Sequence, residues 1–127
     1  MRFSPASTFK IAHSLIALEL GIVKNVDEIF FIYDGHSQYF LKSWQKDMGL
    51  KEAVKTSNVE AFKVMAFKIG KERMQKALAL FDYGNANIGK DVTSFWLDGT
   101  LKISALEQLA FLEKLLNGLD ISRKVIR

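Results

Sequence analysis

Ser7 and Lys10 stand three residues apart near the amino end of the chain, a spacing that puts a hydroxyl and an amine on one face of a helix. A serine hydroxyl attacks poorly until a neighbour takes its proton. A lysine can take it only where desolvation or nearby charge lowers its pKa. The apolar neighbours Ile11 and Leu15 would bury Lys10 and supply that desolvation. A helix amino terminus adds unpaired backbone N–H groups and a positive dipole end, which suit a developing oxyanion around Ser7. The plainer reading makes Ser7 a helix cap and Lys10 a surface amine, since Ser-x-x-Lys recurs by chance in unrelated proteins.

The elements that must position this pair are helical. An almost uninterrupted apolar stretch runs from Phe9 to Leu20 and is closed by Gly21, which predicts a buried helix with a C-terminal glycine. Ile29 to Ile32 is a short extended apolar segment ahead of the Asp34-Gly35 turn signal, read here as irregular. Further helices are predicted over Leu50 to Lys55, Asn58 to Ile69 with Gly70 following, and Lys71 to Phe81. Residues 82 to 100 hold several Gly, Asn and Asp residues and read as a long surface loop of the kind that needs a functional explanation. Ser104-Ala105-Leu106-Glu107 is a capping box that starts a last helix reaching Gly118. With no internal repeat or dividing linker, residues 1–127 read as one mostly α domain.

Composition removes several function classes. The net charge of +4 comes from basic residues scattered among acidic ones, without the block or stripe of a nucleic-acid surface, so no nucleic-acid partner is expected. Zero cysteines exclude disulfides, thiolate metal sites and cysteine nucleophiles, and leave the redox compartment open. His13 and His36 have no ligand partner at metal spacing, so no metal is implied; His13 reads as a packed or hydrogen-bonded helix residue. Met48, Met65 and Met74 read as packing residues. No run is long enough to predict a membrane span, and Met1 to Pro5 lacks the apolar region of a secretory signal.

Ser4-Pro5-Ala6-Ser7-Thr8-Phe9-Lys10-Ile11 resembles the nucleophile segment of the class D, oxacillinase-type serine β-lactamases. Three further elements follow in the family's order. Ser57-Asn58-Val59 resembles its S-x-V element, Tyr83-Gly84-Asn85 its Y-G-N element, and Phe95 to Ser104 its tryptophan-bearing passage from loop to helix. Four ordered elements are far more specific than any one of them. The resemblance implies the helical portion of the α/β serine β-lactamase and penicillin-binding transpeptidase-like fold, without most of its antiparallel sheet.

Carried over by position, the resemblance makes Ser7 the nucleophile that opens the β-lactam ring. It makes Lys10 the general base, as a carbamate formed with carbon dioxide. Ser57 would relay a proton towards the β-lactam nitrogen, or alternatively cap the helix that follows it. Val59 would keep the surroundings of the lysine dry, and Trp96 would donate its indole N–H to the carbamate, unless it is a packed aromatic. Tyr83, Gly84 and Asn85 would shape the cleft wall, although on their own they are residues suited to a turn.

The chain departs from the family in lacking the Lys-Thr-Gly strand motif and the amino-terminal strands, which reads as a truncated, partial domain. With the sheet gone, Phe9, Ile16 and Leu20 are expected to lie exposed as an aggregation-prone patch. Glu60-Ala61 also differs from the proline or aromatic residues often found after the valine. The full-length parent would be periplasmic and take β-lactam small molecules. A penicillin-binding transpeptidase, a β-lactam sensor and a catalytically silent remnant remain as alternatives.

Overall fold

The computed structural model describes residues 1–116. Its helices are α1 Lys10–Glu19, α2 Leu50–Thr56, α3 Val59–Ile69, α4 Lys71–Phe81 and α5 Ala105–Leu116. A 3-10 turn, Ala6–Phe9, leads directly into α1. The sheet among the described residues is one antiparallel pair, β1 Ile29–Phe31 with β2 Met48–Gly49. Helix thus dominates, as the sequence predicts. The expected continuation of α5 to Gly118 lies outside the described residues.

The first helix buries one stripe. Phe9, Ala12, His13, Ile16, Ala17 and Leu20 recur at helical spacing and are all buried, packing α1 against α3 and the loop that carries Phe95 and Trp96. The expectation of an exposed patch at Phe9, Ile16 and Leu20 is therefore corrected: Phe9 and Ile16 are 0% exposed and Leu20 8%. The opposite stripe faces outward, with Ile11 at 53%. The helix ends in a Schellman arrangement, Ile22 N–H donating to Ala17 O at 2.9 Å and Gly21 N–H to Leu18 O at 3.1 Å, with Gly21 at φ 72°.

The segment read as irregular forms β1, with Phe30 and Phe31 buried. Its partner is only two residues long and carries no periodicity to announce it. Gly49 permits the approach, because a Cβ there would lie 2.8 Å from Glu28 O.

Between α2 and α3, Ser57 takes a left-handed conformation at φ 52° and terminates α2, while Asn58 caps α3 by accepting from Ala61 N–H at 3.0 Å. The alternative that Ser57 caps this helix is corrected, since the next residue does so. Gly70, at φ 85°, separates α3 from α4. The capping box of α5 forms in full: Glu107 N–H donates to Ser104 Oγ at 3.1 Å and Ser104 N–H donates to Glu107 Oε1 at 2.9 Å.

Residues 82 to 104 are a long loop, as predicted, and they are pinned rather than loose. Asn85 N–H donates to Lys102 O at 2.8 Å, its Oδ1 accepts from Lys102 N–H at 3.0 Å, and its Nδ2 donates to Thr100 O at 3.1 Å. Phe95, Trp96, Leu101 and Ile103 are buried, so the loop brings its own apolar anchors. Phe3 and Ile103 form an isolated antiparallel bridge that ties the amino-terminal segment to the end of this loop.

Candidate active site

Lys10 is the first residue of α1, Ser7 lies in the turn ahead of it, and Ser57 sits at the corner between α2 and α3. Packing of α1 on α3 brings these distant positions together. Lys10 Nζ donates to Ser57 Oγ at 2.6 Å, across a sequence separation of 47 residues. Ser7 lines the same two cavities as Lys10, and the smaller of them is lined by Ser57 as well. Lys10 is half-buried rather than buried, because Ile11, expected to wall it in, points outward. The left-handed backbone at Ser57, unfavourable for a side chain with Cβ, is what turns its hydroxyl corner between two helices.

The turn around Ser7 is held from below by Trp96. Its carbonyl accepts from Ala6 N–H at 2.9 Å and from Ser4 Oγ at 2.9 Å. Thr8 N–H donates to Pro5 O at 2.9 Å. The amides of Ala6 and Thr8 are thus engaged, which corrects the expectation of several free donors around Ser7 and narrows the local oxyanion candidates to the Ser7 amide itself.

Two cavities meet at Ser7 and Lys10. The larger, about 340 Å³, is mostly apolar and runs over Tyr83, Val54, Phe111 and Leu112. The smaller, about 30 Å³, lies on the other side, bounded by Ser57, Val59, Trp96 and His13. Size and chemistry point to different sides: the larger has the volume of a small-molecule site, whereas the smaller gathers the polar atoms around the amine. The hydrogen-bond reach that proton transfer needs is found at the smaller, where Lys10 Nζ and Ser57 Oγ meet, and the volume at the larger.

Of the residues singled out from sequence, Ser7, Lys10, Ser57, Val59 and Trp96 all border the small cavity, and Tyr83 borders the large one. Gly84 and Asn85 border neither. Gly84 sits at φ 54° where a Cβ would be 1.9 Å from Lys102 O, and Asn85 makes the clamp described above, so these two shape the loop rather than the cavity surface. Burial pushes the Tyr83 phenol up to about 12 against a smaller opposing effect of the Thr8 hydroxyl, so it stays protonated at neutral pH.

His13 reads from the sequence as a packed or hydrogen-bonded helix residue, and its place at the small cavity was missed. It is 1% exposed, lies 5.0 Å from the Trp96 ring, 5.1 Å from Phe62 and 5.3 Å from Phe9, and its Nε2 has no hydrogen-bond partner. Burial lowers its pKa to about 3, keeping the ring neutral. The signal available in the sequence was its place three residues after Lys10, on the same face. Arg2 was also missed: its guanidinium grips both Glu107 oxygens, at 2.9 and 2.8 Å, and with the Ser104 amide holds that carboxyl down at about 2. Among the described residues no group of His, Asp and Glu is placed to hold a metal ion, and no helix is long and apolar enough to cross a membrane.

The description "Penicillin binding protein transpeptidase domain" matches residues 1–122. The chain belongs to that family. Within it, the resemblance is to class D β-lactamases. The chain is 48% identical to β-lactamase OXA-5 of Pseudomonas aeruginosa over 122 residues, covering 95% of this chain and 45% of the relative. To β-lactamase OXA-48 of Klebsiella pneumoniae it is also 48% identical, covering 96% of this chain and 46% of that one. The crystal structure of FUS-1 (OXA-85), a class D β-lactamase from Fusobacterium nucleatum subsp. polymorphum, superposes with a TM-score of 0.87 at 55% identity, over 92% of this chain and 48% of that one. A class D β-lactamase from Sebaldella termitidis gives 0.87 at 38% identity, over 99% of this chain and 52% of that one. The chain therefore spans about half the length of the relatives it matches. Both comparisons agree with the fold expected of this class D β-lactamase-like chain: the helical portion of the penicillin-binding-like fold.

Proposed function

We propose that this chain carries the nucleophile and base of a β-lactam hydrolase that works through an acyl-serine. The observation that carries the reading is the 2.6 Å bond from Lys10 Nζ to Ser57 Oγ in a cavity that Ser7 also borders. Ser7 Oγ attacks the β-lactam carbonyl carbon, forming the ester bond as the ring C–N bond breaks. Its proton passes to the base at Lys10, and Ser57 delivers a proton to the departing nitrogen while regaining one from that base. Water then attacks the ester, the base taking its proton, and Ser7 is freed. Val59 and Phe62 limit water on the amine's inner side.

Carbon dioxide, added to the unprotonated Lys10 amine as a carbamate, would supply an anionic oxygen base at a position otherwise held by a protonated amine. The residues present suit it. The cavity of about 30 Å³ has room for roughly two to three water-sized groups, and the buried Nε2 of His13 and the indole of Trp96 are polar groups on its wall. By the same resemblance, residues 1–127 are read as part of one domain of a periplasmic protein.

The test compares ring opening of a penicillin, with bicarbonate, by the chain and by Lys10→Ala. We expect ring opening to slow by at least about 100-fold in the variant, and any acyl-enzyme formed to persist. Equal rates in the two proteins would sink the reading. The family description also names penicillin binding and a transpeptidase, which favours a second reading as a protein that is acylated and stays so. A stable adduct on the unaltered chain would decide for it.

A further inference from the structure

Two buried side-chain polar atoms within a helical turn of Lys10, His13 Nε2 and Ser14 Oγ, have no hydrogen-bond partner among the described residues, and of the two residues His13 is the one that borders the small cavity. His13 Nε2 is fully buried and unpartnered, and the residue borders the same small cavity as Lys10, Ser57 and Trp96. An orphaned buried polar atom is destabilising, by about 1–3 kcal/mol, and persists where something outside the protein's own atoms completes it. The ring cannot swing away from this cavity, because Phe9, Phe62 and Trp96 hold it at centroid distances of 5.3, 5.1 and 5.0 Å. His13 is one helical step from Lys10, which puts the two side chains on one face of the helix, and both residues border the small cavity.

We propose that His13 positions the carbamate on Lys10, its neutral ring donating an Nε2–H hydrogen bond to a carbamate oxygen. The inference rests on the reading of Lys10 as the site of carbon dioxide addition. In that reaction the Lys10 nitrogen forms a bond to the carbon of carbon dioxide, one C=O electron pair moves to oxygen, and one amine proton leaves to solvent. The product offers acceptor oxygens where the ammonium offered only donors. A neutral imidazole can answer either state by choosing which nitrogen carries its proton. With the amine unmodified, Nε2 is best placed as an acceptor; with the carbamate formed, it becomes a donor. Its neutrality is secured by burial, which holds the pKa at about 3. An imidazolium in this position would have to be charged in an apolar aromatic cage.

The experiment titrates the chain with ¹³C-bicarbonate and follows the carbamate carbon by NMR, in the unaltered protein, in His13→Phe and in His13→Asn. Phenylalanine keeps an aromatic ring against Phe9, Phe62 and Trp96 but has no donor; asparagine keeps a donor. The expected result is a bicarbonate concentration for half-occupancy about tenfold higher in His13→Phe, with His13→Asn within about threefold of the unaltered chain. A carbamate signal that titrates identically in folded His13→Phe overturns the role of His13 and leaves Lys10 standing. No carbamate on the folded, unaltered chain at any bicarbonate concentration overturns the Lys10 reading and this inference with it. If His13→Phe does not fold, ¹⁵N spectra of the unaltered chain decide: the proton on Nε2 with bicarbonate is expected, and the proton on Nδ1 under the same conditions contradicts the proposal.

Discussion

The inner stripe of α1, from Phe9 through His13 to Leu20, is buried, whereas the outer stripe of Ile11, Ser14, Leu15 and Leu18 borders open apolar cavities of about 250 and 360 Å³. Both stripes are largely apolar in composition. What separates them is partners: aromatic rings from three places, Phe62, Tyr83 and the Phe95-Trp96 pair, converge on Phe9 and His13 of the inner stripe. Lys10 stands on the border, with its amine turned to Ser57 on the inner side. Lys10 thus has a hydrogen-bonded neighbour on one side and an open cavity on the other.

The largest expected effect breaks the inner face. Phe9→Ala removes a ring that meets Tyr83 and Phe95 edge-on at 5.5 and 5.4 Å, and should lower stability by about 3–5 kcal/mol in urea unfolding. Acid acts on the same face more gradually. Because the folded pKa of His13 lies at about 3, below its ordinary 6.5, the unfolded chain binds the extra proton between those values. Stability contributed by keeping His13 neutral is therefore full above pH 6.5 and falls on acidification, by about 1.4 kcal/mol per pH unit, levelling below about pH 3. Urea midpoints measured across that range should lose this slope in His13→Asn.

A smaller effect separates the two residues at the α2–α3 corner. Asn58→Ala loses the cap on Ala61 and should cost about 1 kcal/mol, whereas Ser57→Ala, which caps nothing, should change the melting transition far less. The smallest belongs to the outer face: Ile11→Ser should shift stability by no more than about 0.5 kcal/mol, read from the same unfolding curves.

The helices were legible because their ends are written in short signals. Gly21, Gly70 and the Ser104–Glu107 box each stop or start an element where the backbone needs a left-handed residue or a cap. The four site elements were legible through their order along the chain, and the structure brings Ser7, Lys10, Ser57 and Trp96 to one cavity. Other features depend on distant residues and left no local trace. β2 is two residues whose pairing is decided by β1, and which stripe of α1 is inner depends on rings contributed from positions 62 to 96. Gly84 and Asn85 had a family role in prospect, yet their contacts in the structure are those of a loop clamp. His13 was read as packing, which it is; its orphaned nitrogen became visible only with the cavity.

The most direct test of the account is intact-mass analysis of the purified chain after incubation with a penicillin and bicarbonate, beside Ser7→Ala. One penicillin mass per chain is expected at early times, mapped to the peptide holding Ser7, decaying as the ester is hydrolysed, and absent from Ser7→Ala. A folded chain that gains no adduct, or an adduct that persists in Ser7→Ala, would contradict it.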